Sequence, residues 1–238
     1  MSTIAEANRA IHTIPASDLV RVYVWEWPVR LTHWLIAGSI VVLSATGIYI
    51  SRPFVVSNSA TFMATVKAVH SYTAIVFALA VLSRLAWMLI GNSYARWHNF
   101  LPVHRHRRKG LIGTFEFYVF LLRKPPGYVG HNPLAGMTYV LVFFLYLVMI
   151  GTGFAMYSAS AHVGSPMRLF QLLIPLFGGL QGARVVHHIV MWLLLGFAVH
   201  HVYSAILMSQ VEANATIESI VSGYKFVPRA DVTEPGER

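Results

Sequence analysis

The chain has 238 residues, of which 56% are hydrophobic and only 11% charged, against roughly 45–50% and about 25% in soluble domains, so it reads as a membrane protein. It contains no cysteine; disulfides, iron–sulfur clusters, thiolate zinc sites and covalent c-type haem attachment are excluded, and any metal chemistry must use its twelve histidines. The net charge of +9 is not assigned to nucleic-acid binding, because in so apolar a chain an excess of Lys and Arg marks cytoplasmic loops.

In chain order, residues 1–28 form a polar or mixed N-terminal segment, taken as cytoplasmic. Four stretches follow, 29–50, 66–90, 135–157 and 185–208, each supplying the roughly 20 apolar residues that cross about 30 Å of hydrocarbon. The expected fold class is all-α, an integral membrane four-helix bundle over residues 29–208. The first stretch exceeds the apolar part of a signal peptide and is read as a retained helix. Residues 167–180 are shorter and broken by Pro175 and the Gly178-Gly179 pair, which predicts a short interfacial helix rather than a fifth span. Residues 209–238 form a tail.

Positive charges orient the spans. Arg9, Arg21 and Arg30 precede the first; Arg96, Arg105, Arg107, Arg108, Lys109, Arg123 and Lys124 lie between the second and third; Lys225, Arg229 and Arg238 are in the tail. The other two connections hold only Arg52, Lys67, Arg168 and Arg184. This asymmetry predicts a multi-pass protein with both termini in the cytoplasm. The basic run 104–109 is read as a topology signal solvated beside anionic membrane lipid.

Ionisable side chains at membrane depth are costly, so each histidine in a span is a functional candidate. His187 and His201 lie fourteen positions apart in the last span, which brings them within about 40° of one face and separates them by roughly 21 Å along the axis. His33 lies near the cytoplasmic start of the first span and His70 near the far-side start of the second. Antiparallel neighbours then put His70 level with His187 towards the outside and His33 level with His201 towards the cytoplasm. Two imidazoles at each of two depths form the layout of two bis-histidine b-type haems. His188 and His200 fall off the shared face and are expected to be hydrogen-bonding neighbours, and Met63 and Met191 are not needed as ligands. Gly38, Gly47, Gly151, Gly153 and Gly196 either make room for a porphyrin or serve ordinary helix packing. Arg30 beside His33 and Arg184 beside His187 are candidates for the haem propionates, with snorkelling to the interface as the alternative.

Residues 29–34 (VRLTHW), 128–135 (YVGHNPLA), 151–157 (GTGFAMY), 187–192 (HHIVMW), 201–203 (HVY) and 221–225 (VSGYK) together resemble the cytochrome b subunit of membrane-bound nickel-iron uptake hydrogenases. The four-histidine layout is similar to the wider di-haem group that includes the gamma subunit of respiratory formate dehydrogenase. The resemblance implies an electron carrier in the bacterial cytoplasmic membrane, partnered by the hydrogenase large subunit and by an iron–sulfur small subunit with a C-terminal anchor helix. Electrons would pass to an outer haem b, an inner haem b and then a quinone, with His33, His70, His187 and His201 as axial ligands. His131 and Asn132, at the cytoplasmic entrance of the third span, are candidates to hydrogen-bond the quinone or deliver a proton. The same segment also suits a helix start capped by Asn132 with Pro133 in first position.

Other readings are a cytochrome b serving a different respiratory dehydrogenase, a histidine-rich structural anchor without haem, and a metal transporter. The transporter is disfavoured, since no carboxylate occurs between Glu26 and Glu116 or between Glu116 and Glu212 to line a pore.

Overall fold

The computed structural model describes residues 18–53, 60–102, 105–119, 121–122, 128–212, 215–229 and 232. Residues 1–17 of the expected N-terminal segment, residues 213–214, 230–231 and 233–238 of the expected tail, and the orienting charges Arg9, Arg123, Lys124 and Arg238 lie outside them. In chain order, strand β1 (Leu19–Tyr23) leads into helices α1 (Trp27–Ser51), α2 (Ala60–Ile90), α3 (Arg105–Tyr118), α4 (Pro133–Ser158), α5 (Leu180–Glu212) and α6 (Thr216–Ser222), and strand β2 (Tyr224–Pro228) follows. Helices α1, α2, α4 and α5 are long and apolar enough to cross a membrane. Large apolar side chains such as Val41, Leu79, Phe144 and Val199 are exposed on them, as a lipid-facing surface requires.

The spans begin where local chemistry permits. Asn132 Oδ1 accepts from the Ala135 amide at 2.8 Å and Pro133 takes the first helical position of α4, where its missing N–H costs nothing. Helix α2 starts at Ala60, before the apolar window at residue 66, and in its first turns the Thr65 hydroxyl is satisfied by the Thr61 carbonyl at 2.9 Å, a bond that hydropathy does not register. The connection before α5 forms two short 3₁₀ helices, Pro166–Leu173 and Pro175–Phe177, rather than one helix. Pro175 lacks the N–H needed to continue the first, and Gly178 and Gly179, with φ of 74° and 95°, turn the chain in the left-handed region.

The chain divides into two compact units. The first comprises the described residues within 18–30, 85–141 and 198–232. Within it β1 pairs antiparallel with β2, from Leu19 opposite Pro228 to Tyr23 opposite Tyr224, and Val24, Trp25, Val29, Ala95, Val129 and Val227 form a buried cluster. Glu26 ties this cluster to the end of α2, its carboxylate accepting from Trp87 Nε1 and the Asn92 amide, each at 2.8 Å. Trp25 Nε1 donates to Ser219 Oγ at 3.0 Å. Gly223 ends α6 with φ of 91°, and a Cβ there would meet the Tyr23 ring at 2.6 Å and the Trp25 carbonyl at 2.8 Å; only glycine fits.

The second unit comprises residues 31–84 and 142–197. Phe77, Val81, Tyr146, Ala155, Ala183 and Leu194 are buried in it. Phe77 meets Tyr146 edge-on at 5.2 Å, and Phe154 stacks on Phe170 at 4.9 Å. Gln171 Nε2 donates to the Ser158 carbonyl at 3.0 Å, fastening the 3₁₀ segment to the end of α4.

Candidate functional site

Two of the four candidate histidines come together within the second unit. His70 on α2 places Nδ1 2.8 Å from Thr46 Oγ1 on α1, and His187 on α5 places Nδ1 2.9 Å from Thr152 Oγ1 on α4. The two rings are also electrostatic neighbours of one another. Each threonine is followed by a glycine over which the ring lies: a Cβ on Gly47 would stand 3.3 Å from His70 Cε1, and one on Gly153 would stand 3.4 Å from His187 Cε1. Gly38 and Gly196 have nothing within 4 Å of such a Cβ, and Gly151 would meet only Leu173 and Phe177 at 3.8 Å. Of the five glycines proposed to make room, two face an imidazole.

Thr46 and Thr152 were not among the expected site residues. The signal was the repeated Thr-Gly doublet at 46–47 and 152–153, each on the helix preceding a histidine-bearing helix. The repetition goes further, for His33 precedes Thr46 by the same interval as Tyr139 precedes Thr152, and His70 precedes Arg84 as His187 precedes His201.

His33 also lies in the second unit and meets Trp34 edge-on at 5.2 Å. His201 lies in the first unit, where the Tyr139 hydroxyl is 3.5 Å from its Nδ1. Tyr139 in turn packs at 4.9 Å against His131, whose ring also contacts Trp25 at 4.6 Å and Phe100 at 5.2 Å. The His131 carbonyl accepts from Arg107 at 3.2 Å, and the same guanidinium donates to Asn99 Oδ1 at 3.0 Å. Burial lowers the Arg107 pKa, with Tyr128 opposing; a guanidinium nonetheless keeps its charge and clamps the turn that presents His131. Asn132 caps α4 as described.

Arg30 donates through Nη1 to the Val221 carbonyl, and its Nε is buried with no hydrogen-bond partner among the described residues. Arg184 donates to Gln181 Oε1 at 2.7 Å. His188 Nδ1 lies 2.8 Å from the Arg184 carbonyl, and His200 Nε2 lies 3.3 Å from Ser204 Oγ, so both form hydrogen bonds along their own helix.

A haem iron held by two imidazoles requires one nitrogen of each ring towards the metal and the other anchored. His70 and His187 fit that requirement: both are anchored through Nδ1, which leaves Nε2 for iron, and both lie over a helix surface without a side chain. No group of three or more His, Asp or Glu with metal-binding spacing occurs among the described residues, and the two-histidine arrangement is of the kind that suits a porphyrin-bound metal.

Residues 24–223 match the family model of prokaryotic cytochrome b561. The chain is 40% identical to a probable Ni/Fe-hydrogenase B-type cytochrome subunit of Cupriavidus necator, over 85% of this chain and 86% of that protein. It is 37% identical to the protein of the same description from Azotobacter chroococcum, over 92% and 96% of the two chains. It is 32% identical to the probable Ni/Fe-hydrogenase 1 B-type cytochrome subunit of Escherichia coli, over 88% and 93%.

Proposed function

The chain belongs to the prokaryotic cytochrome b561 family, and on that premise we propose that it is the haem b-bearing membrane subunit of a nickel-iron hydrogenase, carrying electrons from the iron–sulfur small subunit to a quinone. The observation that carries this reading is the pair His70 and His187, each anchored through Nδ1 to a threonine. Bound haem b supplies a one-electron iron couple. The protein's own residues hold and orient that couple and exclude water from it. His70 and His187 would hold the iron of the outer haem; His33 and His201, assigned only from their positions along the first and last spans of the sequence, would hold that of the inner one. Arg30, whose buried Nε lacks a hydrogen-bond partner among the described residues, suits an anionic propionate, and Arg184 is its counterpart beside His187.

The quinone is assigned to the turn before α4. His131 touches Tyr139, whose hydroxyl faces His201, so a quinone hydrogen-bonded to His131 stands beside the inner ligand, where the imidazole can hold a proton. Asn132 uses Oδ1 for capping and retains its amide N–H groups for a quinone carbonyl. The excess of Lys and Arg in the second connection and the tail supports cytoplasmic termini in the bacterial inner membrane. The small subunit, with its C-terminal helix, and the large subunit then lie on the opposite face.

The test is pyridine haemochrome quantitation on the purified complex, with two haems b expected per chain. His187→Ala should remove the outer haem and uncouple hydrogen oxidation from quinone reduction, whereas His201→Ala should leave the outer haem in place. A full haem complement and quinone-linked activity in His187→Ala would overturn the assignment.

A further inference from the structure

A threonine hydroxyl in a membrane helix ordinarily returns its hydrogen to its own backbone, and both threonines here do so. Thr46 Oγ1 donates to the Val42 carbonyl at 2.7 Å and Thr152 Oγ1 to the Val148 carbonyl at 2.8 Å. With its hydrogen engaged in that way, each oxygen meets the neighbouring imidazole as an acceptor, so Nδ1 must carry the hydrogen. A second contact points the same way. Thr46 Oγ1 also lies within reach of the Leu43 carbonyl at 3.2 Å, and Thr152 Oγ1 of the Met149 carbonyl at 3.1 Å; a carbonyl can only accept, so each hydroxyl hydrogen is held between two carbonyls and turned away from the ring. Leu43 and Met149 each precede their threonine by three residues. The same acceptor pair, followed by the same glycine, therefore recurs on two different helices against two different histidines. Back-bonding accounts for the threonine's own helix and leaves the repeated Nδ1 contact unexplained.

Resting on the reading of His70 and His187 as haem ligands, we propose that Thr46 and Thr152 are positioning residues that lock both imidazoles in the Nδ1–H tautomer, aim Nε2 at iron and lower the potential of that haem. The direction follows from the polarity of the bond. An acceptor on Nδ1–H makes the imidazole a stronger donor to the metal, and stronger donation favours the ferric over the ferrous state.

The experiment compares Thr46→Val and Thr152→Val, which remove the acceptor at nearly constant volume, with Thr46→Ser and Thr152→Ser, which restore it. All are measured in the full complex by haem content, redox titration and the highest g-value of the low-spin ferric signal. In each valine variant one haem should rise in potential, with the ferric-to-ferrous ratio at a fixed ambient potential falling roughly three- to tenfold, a tenfold change being about 59 mV for one electron. The serine variants should return towards the parent, and the double valine variant should shift the same haem further. Retained haem with an unmoved potential and g-value in both valine variants overturns the proposal. So does equal loss of haem in the valine and serine variants, which signifies packing alone. Failure of the underlying reading is distinct: His70→Ala or His187→Ala would then keep both haems and the parent spectrum.

Discussion

Alanine at Gly47 or Gly153 should weaken haem retention in the outer layer, while alanine at Gly38 or Gly196 should not. The added methyl carbon would stand 3.3 Å from His70 Cε1 or 3.4 Å from His187 Cε1, whereas carbon atoms pack best at about 3.5–4.0 Å. Relief requires the ring to retreat by about 0.3–0.5 Å. The threonine contacts at 2.8 and 2.9 Å hold Nδ1, so the ring pivots and carries Nε2 off the line to the metal. Overpacking by one methyl costs about 1–3 kcal/mol, and at about 1.4 kcal/mol per tenfold that corresponds to roughly 5- to 150-fold in haem affinity. The controls present no such collision, since nothing lies within 4 Å of a Cβ at Gly38 or Gly196. Haem per chain is measured after expression under graded haem limitation, with the low-spin ferric signal reporting the ligand angle. Parental retention in Gly153→Ala together with loss in Gly196→Ala would refute the reasoning, because it would place the necessary room elsewhere.

Glu26→Ala removes an acceptor shared by Trp87 and Asn92; with hydrogen bonds to charged groups at about 1.5–3 kcal/mol each and partial exposure, a loss of about 2–4 kcal/mol is expected, read as a lower melting temperature in micelles. Burial lowers the Lys225 pKa, with Glu212 opposing, so between that lowered value and the unfolded value of about 10.4 the unfolded chain binds more protons and stability rises with pH. Lys225→Met should flatten that slope in melts recorded from neutral to alkaline pH; an unchanged slope would exclude Lys225 as its source. Asn132→Asp keeps the cap and loses the amide donor, so quinone reduction should fall with melting unchanged, whereas Asn132→Ala should also cost about 1 kcal/mol of stability.

The membrane spans were legible because about twenty consecutive apolar residues have few alternative fates. Their starts were not, since α2 begins at Ala60 and carries Thr61 and Thr65 in its first turns, where a hydroxyl bonded to its own helix still reads as polarity. His70 and His187 could be paired from depth alone, because an antiparallel arrangement converts position along the chain into height. Thr46 and Thr152 escaped notice because a hydroxyl in an apolar helix has the default of bonding its own backbone, and nothing local distinguishes one that also meets a histidine. The β1–β2 pairing was missed for a related reason. Alternation over five residues is a weak signal, and the partner of Leu19 is Pro228, so no turn announces the pairing.

That pairing also constrains the order of assembly. Strand β1 precedes the first span and β2 follows the last, so β1 leaves the ribosome long before its partner exists and must wait, unpaired, while all four spans insert. The ribbon is thus a clasp that can fasten only on a completed chain. A truncation before Tyr224 would leave the edge of β1 open and the Trp25 cluster without Val227, marking an unfinished polypeptide to the quality-control proteases of the membrane, even though every span was already in place.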